Sequence, residues 1–206
     1  MRKRLTLIVA NLLIAAGVVV AGFVVYEVAV SNWISQAETK AVANKLESTF
    51  ETKRVDVVPK KGEAFALITI PRLGQKVNSL PVIEGIDQSD LAKGVGHYPG
   101  TALPGEIGNF AVAGHRATHG EPFAKFEDLR AGDQVLVETA TATYVYELTE
   151  DTMVKPKGTW VIDDVPGEPA AIPTQRLLTL TSCEPRWNAT KRWIWWGVLV
   201  EKLPKS

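Results

Sequence analysis

Arg176-Leu-Leu-Thr-Leu-Thr-Ser-Cys183, followed by Glu184-Pro185, is the stretch that decides the fold. Its leucines and threonines favour a β-strand, and proline lacks the backbone N–H that a strand needs, so the strand ends just after the thiol. We therefore expect Cys183 at a strand end, beside a loop-lined opening. It is the single cysteine of 206 residues, which excludes an internal disulfide and leaves an inert buried thiol, a pairing between chains or a reactive thiol.

Further short strands are predicted from Glu63 onward, where Gly, Pro and Asp turns interrupt β-type runs. The predicted strands are Phe65–Ile70, Asn109–Ala113, Gln134–Thr139, Thr143–Leu148, Thr159–Ile162, Arg176–Ser182 and Arg192–Val200, with short helical turns at Ser89–Lys93 and Pro122–Leu129. Seven or eight strands predict an all-β fold, a closed or nearly closed barrel with short helices, because closure removes exposed strand edges. A β-sandwich is the alternative.

An apolar run from Leu5 to Tyr26 follows the basic cluster Arg2-Lys3-Arg4. As a helix that rises 1.5 Å per residue, this run is about 33 Å long, enough to cross the hydrocarbon core of a membrane. The basic residues before it predict an N-terminus inside the cell and a domain outside. A cleaved signal peptide is the alternative, but the region after the run offers no good small-x-small cleavage site.

The sequence divides into four predicted parts. Residues 1–4 are a cytoplasmic basic tail, and residues 5–30 are a transmembrane anchor. Residues 31–62 are a spacer helix, amphipathic over 33–52, and a linker, because apolar side chains recur there near a 3.6-residue period. Residues 63–206 are the extracellular β-domain. The predicted location is therefore the cell membrane, crossed once.

Charge and motif content exclude several classes of function. Lys and Arg number 23, and Asp and Glu number 23, so the balance gives no reason to expect a nucleic-acid partner. His115 and His119 have the i, i+4 spacing of a helical zinc site, but the glutamate of such a site is missing, and a strand and glycines flank the pair. No Gly-rich phosphate loop is present. We expect no metal and no cofactor.

Two further residues are expected beside the thiol. His115 closes the strand at 109–113, and Arg192 opens the last strand a short loop after Cys183. A thiolate is a nucleophile, a histidine exchanges its proton, and an arginine supplies charged donors for an oxyanion. Each residue alone has an ordinary explanation as a core, surface or salt-bridged side chain. Together at strand ends they favour nucleophilic catalysis by Cys183.

Three motifs resemble those of the sortase family of cysteine transpeptidases. Leu178-Thr-Leu-Thr-Ser-Cys183 with the downstream Arg192 resembles the TLxTC signature, Ala113-Gly-His-Arg116 the histidine motif, and Ile70-Pro-Arg-Leu-Gly74 an early-strand motif. The resemblance spans roughly residues 63–203. It implies that Cys183 is the nucleophile, His115 the acid/base partner and Arg192 the oxyanion donor.

Residues 97–105 resemble the class E housekeeping sortases of actinobacteria, which favour an LAxTG-like sorting signal over LPxTG. Tyr98 resembles the tyrosine linked to that preference. The resemblance also implies substrate-binding roles for Thr181 and Ser182, although Ser182 stands where the family commonly has threonine.

The function that this resemblance implies is cleavage of the Thr–Gly bond in the C-terminal sorting signal of an exported protein. A thioester on Cys183 then passes the protein to an amine of a peptidoglycan stem peptide at the cytoplasmic membrane. Two alternatives remain open: a cysteine hydrolase with water as acceptor, and a non-catalytic, membrane-tethered β-barrel that binds the cell wall.

Overall fold

A long helix, α1, precedes the β-domain and covers Arg2–Lys53 in the computed structural model. The structure describes residues 2–205, with side chains at 4, 6–26 and 35–205. The side chains of Arg2, Lys3, Leu5 and 27–34, which belong to the predicted tail, anchor and spacer, lie outside the described residues. Within α1, Thr6–Tyr26 is apolar and unburied and long enough to cross a membrane. The helix backbone continues from the predicted anchor into the predicted spacer without a break.

Eight strands form the β-domain and close into a barrel in the order β1-β2-β3-β4-β7-β8-β6-β5. They are β1 Ala64–Thr69, β2 Leu80–Glu84, β3 Val95–His97, β4 Gly108–Gly114, β5 Gln134–Glu138, β6 Ala142–Val154, β7 Arg176–Glu184 and β8 Lys191–Pro204. A short helix, α2, covers Gln88–Leu91, and 3₁₀ turns cover Pro71–Val77, Phe126–Asp128 and Thr159–Ile162. The predicted closed barrel with short helices is confirmed, and the sandwich alternative is wrong.

One predicted strand is absent from the structure, and two observed strands were not predicted. Thr159–Ile162 is a 3₁₀ turn instead of a strand, because its apolar side chains pack against the barrel without pairing: Val161 is buried, and its carbonyl accepts the indole N–H of Trp196. The strands β2 and β3 were not predicted. Pro81 within β2 and Gly96 within β3 are residue types more common in turns than in strands. Gly96 is needed within β3 because a β-carbon there would lie 2.3 Å from the Gly85 carbonyl oxygen.

Two parallel strands, β4 and β7, position the functional end of the barrel. They pair from Gly108↔Arg176 to Gly114↔Ser182, so both strands end at the same edge. A buried hydrogen bond from the Thr179 hydroxyl to the Asn109 side chain, 2.8 Å long, holds this register. Leu178 and Leu180 of β7 are fully buried in the barrel core, which places the alternate residues of β7 on its outer face.

Candidate active site

Cys183 and Arg192 are direct partners across two antiparallel strands. Cys183 of β7 pairs with Arg192 of β8. Directly opposed residues point to the same face of a sheet with β-carbons about 4.5–5.5 Å apart. Since Leu180 faces the core, Cys183, three residues later, faces outward. The sulfur and the guanidinium therefore share one side of the barrel wall.

His115 reaches the same place from β4. Gly114 and Ser182 are the last paired residues of β4 and β7, so His115 and Cys183 are the next residue on each strand. A β-carbon at Gly114 would lie 2.6 Å from the ring of Phe123, which explains the glycine before the histidine. The Phe123 N–H donates to the His115 carbonyl at 3.0 Å and closes the following loop. The structure thus brings His115, Cys183 and Arg192 to neighbouring strand ends.

The surroundings of His115 favour its neutral form. Burial, and secondarily the nearby His119, lower the pKa of His115 from 6.5 to about 4. The two imidazoles stack with centroids 4.9 Å apart. The Nε2 atom of His115 is buried and has no hydrogen-bond partner among the described residues. With a pKa of about 4, the imidazole of His115 is neutral at pH 7.

The thiol and the guanidinium are both accessible. Cys183 is partly exposed, so its sulfur does not lie deep in an aliphatic core. The Nη1 atom of Arg192 donates to the carbonyls of Ala189 and Lys191 at 3.1 and 3.0 Å. These two bonds hold the guanidinium at the start of β8. Both bonds come from the Nη1 atom. A guanidinium has three nitrogens, which together carry five N–H donors.

Tyr98 and Thr181 lie beside this trio. The Tyr98 hydroxyl and the Thr181 hydroxyl form a hydrogen bond of 3.0 Å, and Thr181 shares the outer face of β7 with Cys183. Burial raises the pKa of Tyr98, while the hydrogen bond to Thr181 and the charge of Arg192 lower it. The substrate contacts of Tyr98 and Thr181 stay predictions.

Ser182 lies elsewhere, and its predicted substrate contact needs correction. Its side chain points to the interior face that it shares with Leu180, and only 2% of the residue is exposed. Its hydroxyl donates to the Gly114 carbonyl at 3.1 Å. Ser182 therefore ties β7 to the residue before His115, so that it positions the site from inside the barrel.

Arg116 has a role that the sequence analysis did not assign. Its guanidinium is buried, donates to the Cys183 carbonyl at 3.3 Å, and pairs with the carboxylates of Glu184 and Glu127. Arg116 thus fixes the backbone of Cys183 to the histidine loop. The available signal was its place in the histidine motif together with a carboxylate, Glu184, directly after the cysteine.

The structure also bears on metal binding. His115 follows β4 and His119 lies in a turn, so the pair does not occupy successive turns of a helix. Among residues 2–205 as described, no cluster of three His, Cys, Asp or Glu side chains is arranged to hold an ion.

Comparisons with known proteins identify the family. The sortase domain model matches residues 68–200. The chain is 36% identical to Sortase SrtE1 of Streptomyces coelicolor over 96% of its own length and 58% of that relative, and 30% identical to Sortase D of Bacillus subtilis over 91% and 96%. The chain thus spans less than two thirds of SrtE1.

A solved structure agrees with these relatives. The crystal structure of Sortase E1 from Streptomyces coelicolor with a tripeptide in the active site superposes with a TM-score of 0.63 at 37% identity, covering 71% of this chain and 94% of that one. The barrel, the trio at neighbouring strand ends and these matches lead to one conclusion: the chain belongs to the sortase family.

Proposed function

We propose that this chain is a membrane-anchored cysteine transpeptidase that cleaves the Thr–Gly bond of a sorting signal. The observation that carries the proposal is the Cys183–Arg192 pair on one face, with His115 at the adjoining strand end. This arrangement supplies a nucleophile, an oxyanion donor and a proton carrier at neighbouring strand ends.

The acylation step follows from these positions. The neutral imidazole of His115 takes the thiol proton as the Cys183 sulfur attacks the threonine carbonyl carbon. N–H groups of Arg192 donate to the oxyanion that forms. When the tetrahedral intermediate collapses, the C–N bond breaks, and the imidazolium gives its proton to the leaving glycine amine. A thioester on Cys183 remains.

The second half of the reaction reverses these roles. A primary amine attacks the thioester carbonyl, His115 takes the amine proton, and the oxyanion again lies against Arg192. Collapse breaks the C–S bond, and His115 returns the proton to the sulfur. The product is a new amide, and the enzyme regains its thiol.

The proposed substrate is an LAxTG-like or LPxTG-like signal at the C-terminus of an exported protein, and the proposed acceptor is a peptidoglycan stem-peptide amine. Tyr98, beside Cys183 and Arg192, supports a peptide contact at that point. The tripeptide in the active site of the Streptomyces Sortase E1 structure supports peptide binding at this place in the fold.

The proposed topology is a single pass. Residues 1–4 are cytoplasmic, 5–30 cross the membrane, 31–62 are the spacer helix and linker, and 63–206 are the extracellular catalytic domain. Support comes from the apolar helix segment Thr6–Tyr26 and from the basic residues before it.

Intact-mass spectrometry of the full-length enzyme in detergent tests the proposed function. With an LAxTG peptide, we expect a covalent adduct equal to the acyl fragment. Addition of a stem-peptide amine should then remove the adduct and form a ligated peptide. Hydrolysed peptide as the sole product, with saturating amine present, would indicate the hydrolase. Without an adduct or any product, the non-catalytic barrel would be the better explanation.

The burial of His115 predicts the pH dependence of peptide cleavage. His115 must be neutral to take the thiol proton, so kcat/KM should hold down to an acid limb near pH 4, well below the ordinary 6.5. Because the pKa of His115 is lower in the folded protein than in the unfolded chain, protonation of His115 favours unfolding. The free energy of unfolding should therefore keep its full contribution from His115 above pH 6.5 and lose it as the pH falls toward 4.

His119→Gln is the matched variant for this measurement. It removes the secondary cause of the low pKa and leaves burial, so the acid limb should move upward without reaching 6.5. The measurement is kcat/KM against pH for both enzymes with the same soluble peptide. A wild-type acid limb at pH 6.5, or identical acid limbs in the two enzymes, would contradict the assignment of this limb to His115.

A further inference from the structure

A buried histidine that the proposed mechanism does not use lies at the end of β3. Only 1% of His97 is exposed. The centre of its ring lies 5.3 Å from that of Phe110 and 5.4 Å from that of Phe65, and both phenylalanines belong to the barrel core. A buried polar ring is costly unless its nitrogens form hydrogen bonds. The partners of the two nitrogens therefore indicate what His97 holds together.

One ring nitrogen of His97 is tied to the neighbouring strand. Its Nδ1 atom lies 2.6 Å from a carboxylate oxygen of Glu84. The two residues are direct partners across the parallel strands β2 and β3, so their side chains leave the barrel wall on the same face. Two lone pairs repel each other at this distance, so one proton lies between the ring nitrogen and the carboxylate. This bond fixes the rotation of the imidazole ring.

The other ring nitrogen of His97 faces the loop after β3. Its Nε2 atom lies 3.1 Å from the Ala102 carbonyl oxygen and 2.9 Å from the Thr101 hydroxyl oxygen. A carbonyl oxygen only accepts, so Nε2 carries a proton. The Thr101 hydroxyl donates its own proton to the Tyr98 carbonyl at 2.8 Å, and it therefore accepts from His97. The Nε2–H group thus donates into the segment that follows Tyr98.

This segment is a tight turn whose shape is set locally. The Thr101 N–H donates to the Tyr98 carbonyl at 3.2 Å, and Gly100 has a φ of +86°. Pro99 before a glycine of positive φ is the pattern of a type II turn. The four residues therefore form their turn without help from the barrel. How the turn sits on the barrel depends on the bonds from His97.

Tyr98 is the residue that this turn presents to the candidate site. Its N–H donates to the Ala111 carbonyl at 3.0 Å and so continues the pairing of β3 with β4. Successive residues of a strand point to opposite faces, so the inward direction of His97 turns Tyr98 outward. There its hydroxyl meets the Thr181 hydroxyl at 3.0 Å, two residues before Cys183 along β7. The direction of Tyr98 is thus linked to the bonds inside the barrel.

We propose that His97 is a positioning residue for peptide recognition: its Nε2–H group holds the turn 98–101 on the barrel core and so keeps the Tyr98 phenol where the sorting signal binds. The inference rests on the proposed transpeptidase function and on the predicted substrate contact of Tyr98. It adds that this contact is set from inside the barrel. The bond to Glu84 aims the ring, and the bond from Nε2 carries the effect to Tyr98.

Two substitutions of His97 separate its ring nitrogens. The amide nitrogen of glutamine matches the position of Nε2, and that of asparagine matches the position of Nδ1. His97→Gln therefore keeps a donor toward the turn and loses the bond to Glu84. His97→Asn keeps a donor toward Glu84 and loses the turn. Both variants lose the same ring contacts with Phe65 and Phe110, so each is the matched control of the other.

Steady-state kinetics of the full-length enzymes with a soluble LAxTG peptide measure the effect. We expect His97→Asn to raise KM about tenfold with kcat nearly unchanged, and His97→Gln to raise it less than about threefold. The thermal midpoint should fall at least as far in His97→Gln, because that variant leaves the Glu84 carboxylate unpaired. A merely structural role would make KM follow the thermal midpoint.

A double-mutant cycle tests whether His97 acts through Tyr98. In a Tyr98→Ala background, His97→Asn should change KM less than about twofold, because the residue that it positions is gone. Thr101→Val removes the hydroxyl between His97 and Tyr98 without touching the core. It should raise KM and show the same coupling to Tyr98→Ala, which keeps the test decisive if the His97 variants do not fold.

Several results would overturn the inference. Equal effects of His97→Asn and His97→Gln on KM would do so, and so would additive effects of His97→Asn and Tyr98→Ala. Wild-type kinetics of the Tyr98→Ala or the Thr101→Val enzyme would contradict it as well. A wild-type enzyme that leaves the LAxTG peptide uncleaved would refute the proposed function instead, which separates the two failures.

Discussion

Cys183→Ala is expected to abolish acyl-enzyme formation and to lower kcat/KM for an LAxTG peptide by about 10⁴- to 10⁶-fold, as for loss of a nucleophile in other acyl-transfer enzymes. The physical reason is that every covalent step passes through the sulfur that faces Arg192. Because Cys183 is the only cysteine of the chain, a thiol-alkylating reagent should modify the wild type once and the variant not at all. Intact mass and a quenched-peptide assay measure both results.

Cys183→Ser is the conservative control for this experiment. It replaces the thiol by a hydroxyl at the same strand end. A serine hydroxyl is a far weaker nucleophile than a thiolate unless a dedicated base activates it. We expect both variants to keep the fold, since Cys183 is partly exposed and the register of β7 with β8 is held by the backbone. Retained turnover in a correctly folded Cys183→Ala enzyme would show that the reaction does not use the thiol.

Arg192→Ala is expected to reduce kcat by about 10²- to 10³-fold, the usual cost of removing an oxyanion donor. The loss should appear in kcat more than in KM, because the oxyanion exists only in the transition state and the tetrahedral intermediate. Arg192→Lys keeps the charge but loses the planar fork of donors, so we expect partial recovery. Steady-state kinetics with the soluble peptide distinguish the three enzymes.

A purely structural role for Arg192 would give a different result. Its bonds to the Ala189 and Lys191 carbonyls shape the loop after β7, so the alanine variant could also loosen that loop. The thermal midpoint and the alkylation rate of Cys183 report on loop integrity without using the oxyanion. A large loss of kcat with both of these readouts unchanged supports the catalytic role; a rise in KM alone, with kcat retained, contradicts it.

Local sequence predicted which residues meet at the strand ends of the candidate site. The strand ending at Cys183, the Gly114-His115 corner and Arg192 at the start of the last strand were all predicted, because strand propensity and proline or glycine stops act over a few neighbouring residues. The closed barrel followed from the number and length of the strands. The apolar helix followed from its uninterrupted hydrophobic run.

Tertiary structure alone decided what surrounds those residues. The inward direction of Ser182, the hold of Arg116 on the Cys183 carbonyl and the stack of His119 on His115 depend on strand register and loop closure between segments far apart in the chain. The packing of α1 against the barrel, at Ser35 and again at Phe50, likewise depends on residues far apart in the chain. Such contacts leave no periodic trace in the sequence, because a side chain's neighbours across a barrel are set by pairing and not by its own propensity.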